Sequence, residues 1–166
     1  MASRPVPPSS EATLVFDIER SAAALDEVAR KVARDLQAPM ALMVVGHQHR
    51  QQVAARFGMQ QGRAIRLLIL RTAFAGQTAN RVSNTDHSMR SVGIRSYAVA
   101  PIVDGAELIG ALWVADARRR WFDDDEMHHL GLLAGSATRV LCGARVLRMS
   151  DTPPARVVGV PAPALG

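Results

Sequence analysis

Between Arg95 and Ala115 the chain reads as two apolar runs, Arg95 to Val103 and Ala106 to Ala115, joined by Asp104-Gly105. An Asp-Gly dipeptide between strand-like runs predicts a two-residue hairpin with a type I′ turn, whose central residues both need positive φ. Tyr97, Val99 and Val103 alternate with Ala98, Ala100 and Ile102, so both faces of the hairpin are apolar. A sheet of that kind has to be covered on both sides. The rest of the chain must therefore supply cover to two faces of a central antiparallel sheet.

The flanking segments offer that cover. Ile18, Ala22, Leu25, Ala29, Val32 and Leu36 recur at spacings of 4, 3, 4, 3 and 4, the period of an amphipathic helix, with Pro39 closing it. Met40 to Val45 and Arg50 to Phe57 predict a second hairpin, with His47, Gln48 and His49 in its turn. Leu67 to Gln77 fits a buried strand or a short helix equally well, and Gly76 is expected to end it. Asn80 to Arg90 holds a short strand followed by a polar loop, since Asn84, Asp86 and Ser88 favour turns. Asp123 and Glu126 have capping-box spacing, with Phe122 and Met127 as a hydrophobic staple. The last helix is expected to run from there to about Arg148. It carries one apolar stripe through Met127, Ala134 and Leu141, and a second through Leu133, Val140 and Leu147 that is free to meet a partner.

A chain of 166 residues suits one domain. Residues 1–11 and 149–166 are expected to be disordered tails rich in proline and small residues, flanking a domain over 12–148. Apolar runs are too short for a bilayer span and the start lacks a signal-peptide pattern, so a cytoplasmic location is expected. Cys142 is the single cysteine, which excludes an internal disulfide, a cysteine zinc cage and two-thiol catalysis within the chain.

The helix, hairpin, variable middle, apolar hairpin and long last helix resemble a GAF domain, a bacterial sensory module of the PAS-like superclass. The resemblance rests on Gly93 to Val114 (GIRSYAVAPIVDGAELIGALWV) and on Trp121-Phe122 with the acidic residues after it. It implies an α+β fold: a single domain with a central antiparallel sheet of about six strands, the N- and C-terminal helices packed on one face and a ligand pocket in front. Within that family, the cyclic-nucleotide binders carry an Asn-Lys pair after the last strand, where this chain has Asp116 and Ala117. Bilin binders use a cysteine near the pocket, whereas Cys142 lies on the last helix. The GAF-like methionine sulfoxide reductases use several cysteines in mid-domain, which are missing here. Haem through His87 is the one cofactor the position of a single imidazole leaves open. Phosphate loops, nucleophile elbows and HExxH helices are also missing, and no metal site is expected.

A non-catalytic sensory module is the reading that follows, with Arg66, Phe74, Asn80, His87, Tyr97 and Trp113 as ligand-binding candidates by analogy. A homodimer through the last helix, using Leu133, Val140 and Leu147, is expected. The signal is expected to leave through a separate output protein such as a kinase or transcription regulator. The alternative is a pure interaction module whose pocket is filled and whose basic face binds an acidic partner. Residues 1–100 carry 13 Lys+Arg against 7 Asp+Glu, and no carboxylate occurs between Asp35 and Asp86. Arg50, Arg56 and Arg63 are the basic-face candidates in that stretch. These arginines lack interleaved aromatics and a recognition motif, which argues against nucleic acid.

Overall fold

The computed structural model describes residues 12–46, 51–60, 62–72, 78–143 and 145–149. Helix α1 (Ile18–Asp35) starts where the Asp17 carboxylate accepts the Arg20 N–H at 3.1 Å, satisfying one of the unpaired donors of the first turn. Gln37 closes it at φ 48°. The Ala38 N–H reaches the Ala33 carbonyl at 2.8 Å and the Gln37 N–H reaches Arg34 at 3.1 Å, a Schellman closure with glutamine in the position that glycine usually takes.

Strands β2 (Met40–Val45), β3 (Gln52–Phe57), β4 (Asn80–Val82), β5 (Ser96–Asp104) and β6 (Glu107–Asp116) form one antiparallel sheet in the order β3-β2-β6-β5-β4. Among the described residues five strands make the central sheet, close to the six or so expected. The hairpin of β5 and β6 forms as its alternation requires, but its turn differs from expectation. Asp104 pairs with Glu107, which leaves Gly105 and Ala106 as the central residues, and only Gly105 has positive φ (60°). That is the pattern of a type II′ turn. Gly110 lets β2 and β6 close up, since a Cβ there would lie 2.3 Å from the Val44 carbonyl oxygen.

Both faces are covered. Behind the sheet lie α1 and α4 (Asp124–Gly143), burying Leu25, Val32, Ile102, Leu112, Phe122 and Leu141. In front lie α2 (Gly62–Thr72) and α3 (His87–Ser91), whose Leu68 and Met89 are buried in one cluster with Leu42, Val44, Ile94, Tyr97 and Trp113. The ambiguous run from Leu67 is thus helical as far as Thr72. Gly76 and Gln77 lie outside the described residues. The polar loop expected up to Arg90 becomes α3 because the Asp86 carboxylate accepts the Met89 N–H at 3.0 Å and caps it.

The capping box of α4 is formed both ways: Asp123 N–H to Glu126 at 2.9 Å and Glu126 N–H to Asp123 at 2.8 Å. The helix ends at Gly143 rather than near Arg148. Residues Arg145–Met149 form β7, antiparallel to β1 (Ala12–Phe16), in a separate two-stranded sheet. Leu147 fits a helical stripe in sequence, yet an apolar residue sits equally well in a strand once β1 offers a partner. Leu147 accordingly leaves the second stripe, and Met149 belongs to a strand instead of a tail.

Candidate functional site

The front layer brings two of the sequence candidates together. Tyr97 on β5 and Trp113 on β6 sit diagonally across the ladder, with ring centroids 5.2 Å apart at 56°. Both are buried, at 7% and 1% exposure. A tilted aromatic pair of this kind adds about 0.5–1.5 kcal/mol beyond the area it buries.

Arg71 lies in the last turn of α2. Its guanidinium donates to the carboxylate of Asp86, the N-cap of α3. Burial alone would lower the Arg71 pKa, but hydrogen bonding with Asp86 and with the Tyr97 phenol raises it overall. Asp86 is held below the usual carboxylate value, first by the Met89 N–H and then by Arg71. Both side chains are partly exposed, at 35% and 51%, so the ion pair itself contributes only about 0–1 kcal/mol. Its importance is geometric: one arginine ties the end of α2 to the cap of α3.

Arg71 and Asp86 were not among the sequence candidates. Asp86 had a local signal as an N-cap three residues before the buried Met89. Arg71 had none beyond lying in a stretch that lacks carboxylates, because the contact spans 15 positions in sequence.

The other candidates fall elsewhere. Asn80 is exposed at the start of β4 and accepts the Arg81 N–H at 2.8 Å. His87 is exposed as the first residue of α3. Phe74 and Arg50 lie outside the described residues. Arg66, Arg56 and Arg63 are exposed, and the first two line a groove of about 530 Å³ beside β3 rather than the front site. Leu133 is buried in the rear core at 6% exposure, and Val140 packs against that core. Leu133 and Val140 thus contribute to this chain's own packing. The outward side of α4 instead carries Leu132 and Arg139.

Where the nucleotide-binding relatives are expected to carry an Asn-Lys pair, Asp116 is 1% exposed and committed to structure. It accepts the Arg118 N–H at 2.9 Å and the Arg118 guanidinium at 3.1 and 3.3 Å. Burial would raise its pKa, but these bonds and the charges of Arg118 and Arg120 lower it. A second groove of about 510 Å³ lies beside it, between the end of α1 and Phe57. No group of His, Cys, Asp and Glu suited to a metal ion occurs among the described residues. None of the described helices is long and apolar enough to cross a membrane.

No curated protein is matched by sequence. Solved structures are matched by fold. The type II free methionine-R-sulfoxide reductase of Thermoplasma acidophilum superposes with a TM-score of 0.63 at 12% identity, covering 78% of this chain and 97% of that one. The GAF domain of an Acinetobacter phosphoenolpyruvate-protein phosphotransferase gives 0.62 at 15%, covering 75% and 83%. The GAF domain of a putative sensor histidine kinase from Pseudomonas syringae pv. tomato gives 0.60 at 14%, covering 76% and 81%. The GAF domain profile matches residues 21–141, which span most of α1, the central sheet and most of α4, and the chain belongs to the GAF domain family.

Proposed function

We propose that this chain is a non-catalytic regulatory GAF module that binds a small anionic organic molecule at the front site and passes the signal to a partner protein. GAF domains are sensory and regulatory modules, and the structurally similar chains include the GAF domain of a putative sensor kinase. The observation that carries the reading is the Arg71–Asp86 ion pair joining the end of α2 to the cap of α3, in the same front layer as the buried Tyr97–Trp113 pair. A carboxylate or phosphate on the ligand competes with Asp86 for the guanidinium, and a ring or alkyl part packs toward the aromatics. The exposed ion pair is weak, so an incoming anion displaces it at little cost. Displacement loosens α3, which links ligand occupancy to the order of one short segment.

A thermal-shift screen of carboxylate- and phosphate-bearing metabolites tests this. A ligand at about 100 times its Kd adds about 2.7 kcal/mol of stability. Arg71→Met should remove the response while the protein stays folded, and amide exchange in His87–Ser91 should change with ligand in the wild type only. Stabilisation that survives Arg71→Met would rule out this site.

The packing of Leu68, Met89, Ile94 and Trp113 in front of the sheet favours a second reading, an interaction module with a filled pocket. In that case no metabolite stabilises the protein, and regulation runs entirely through protein contacts.

A further inference from the structure

We infer that the open edge of the central sheet at β3 is a docking slot for an extended acidic segment of a partner protein, which adds to the sheet as a further strand. β3 ends the order β3-β2-β6-β5-β4, and among the described residues no strand lies on its other side. A sheet edge offers backbone N–H and C=O groups to any extended chain that reaches it.

At this edge the surroundings make room for one. The groove of about 530 Å³ is floored by Val53, Ala54, Ala55 and Ile65. It is bounded by Asp26 of α1, from the helix layer behind the sheet, and by Gly62 and Arg66 of α2, from the layer in front. The groove therefore straddles the edge between two helices instead of lying on one face. The space beside Gly62 is open, since a Cβ there would meet nothing within 4 Å.

Charge selects the occupant. Arg56, Arg63 and Arg66 are exposed around this edge, and none of them is paired with a carboxylate among the described residues. The segment that supplies them has no acid between Asp35 and Asp86, so the nearest negative charge in the groove is Asp26. A second copy pairing β3 to β3 would bring two sets of these like charges to one interface, which costs energy. A strand bearing Asp or Glu at alternate positions would meet them instead, with small or β-branched residues over the alanine floor. The β-bulge opposite Met43/Val44 interrupts the ladder in mid-strand, which confines pairing to one short register and disfavours indiscriminate edge association.

The test is selection from a random decapeptide library displayed on phage, against the full chain at 50 mM salt. The expected outcome is enrichment of proline-free peptides with alternating Asp or Glu. A selected peptide, made synthetically, should lose at least tenfold in affinity on Arg56→Glu/Arg66→Glu, on Gly62→Leu, and when its central residue is replaced by proline. Amide resonances of Gln52–Phe57 should shift on binding. Gly62→Leu projects into open space, so a circular dichroism spectrum like that of the wild type is expected, and Gly62→Ala serves as the mild control. Recovery of no acidic peptides, equal binding by the proline-containing peptide, insensitivity to Gly62→Leu, or stronger binding of an RNA oligonucleotide at the same arginines would each overturn the proposal. Because the front site lies under α2 and α3, loss of metabolite binding through Arg71→Met leaves this result untouched, and the two failures are distinguishable.

Discussion

Arg120 Nη1 donates to the Leu36 carbonyl at 2.9 Å across 84 positions of sequence, and to the Gln37 carbonyl at 3.2 Å. The same guanidinium pairs with Glu126 of the α4 capping box and stacks 4.4 Å over Phe122. One side chain thus satisfies the carbonyls that the end of α1 leaves over and fastens the start of α4 to them. A planar fork with several donors is needed to reach all four partners. Arg120→Lys should destabilise the protein by about 1–2 kcal/mol and Arg120→Ala by about 2–4 kcal/mol, measured by urea denaturation. Equal stability of wild type and Arg120→Ala would show that the helices are held by the apolar core alone.

Gln37 holds φ 48° at the α1 closure, where a side chain is strained and glycine is not. Gln37→Gly is expected to raise stability by about 0.5–1 kcal/mol, the gain from relieved strain exceeding the added freedom of the unfolded chain. Gln37→Ala, which keeps the strain, should give no gain. A Tm below wild type for the glycine variant would refute this account of the closure.

Asp116 has a lowered pKa in the folded protein, so the unfolded chain binds its proton more readily. Its contribution is complete above the unfolded value of about 3.9 and disappears as pH falls through the lower folded value. Asp35 follows the same sign, lowered first by Lys31 at 2.6 Å and then by His129 at 2.8 Å, but its partners are exposed and its share is small. Asp116→Asn should therefore cost about 1–3 kcal/mol at pH 7 and progressively less below about pH 4. Urea midpoints at several pH values would expose a pH-independent cost, which contradicts an ionic role.

The chain has two tryptophans in opposite settings: Trp113 is buried against Tyr97, while Trp121 is 61% exposed with the Arg81 guanidinium 4.4 Å over its ring. Trp121→Phe should leave blue-shifted emission that acrylamide quenches poorly. Trp113→Phe should leave red-shifted, readily quenched emission, with a stability cost of about 1–3 kcal/mol for the altered packing. A front-site ligand should then perturb the Trp121→Phe variant and spare the Trp113→Phe variant.

Much of the architecture was legible because it is written locally. The alternation of Tyr97 through Val103, the 3.6-residue rhythm from Ile18 to Leu36 and the Asp123/Glu126 box each depend on neighbours within a few positions. The α2 run from Leu67 was undecidable, since a short apolar segment satisfies either period. β7 was missed for a different reason: Arg145–Met149 becomes a strand only because Ala12–Phe16 pairs with it, more than 120 positions away, and no local pattern carries that. The site was the least legible part. Tyr97 and Trp113 could be singled out as aromatics on adjacent strands, but Arg71 and Asp86 acquire meaning only through where α2 ends relative to α3, a distance set by tertiary packing.

The ladder of β1 and β7 runs from Ala12 opposite Met149 to Phe16 opposite Arg145, so the chain enters and leaves through the same rung. Tension applied between residues preceding Ala12 and residues following Met149 would load that ladder from one end, and its rungs would open one at a time instead of yielding together. The central sheet, whose strands are not the ones being pulled, would feel no load until all five rungs had parted. Under such a load the pair would part before strain arriving along the chain reached the folded core.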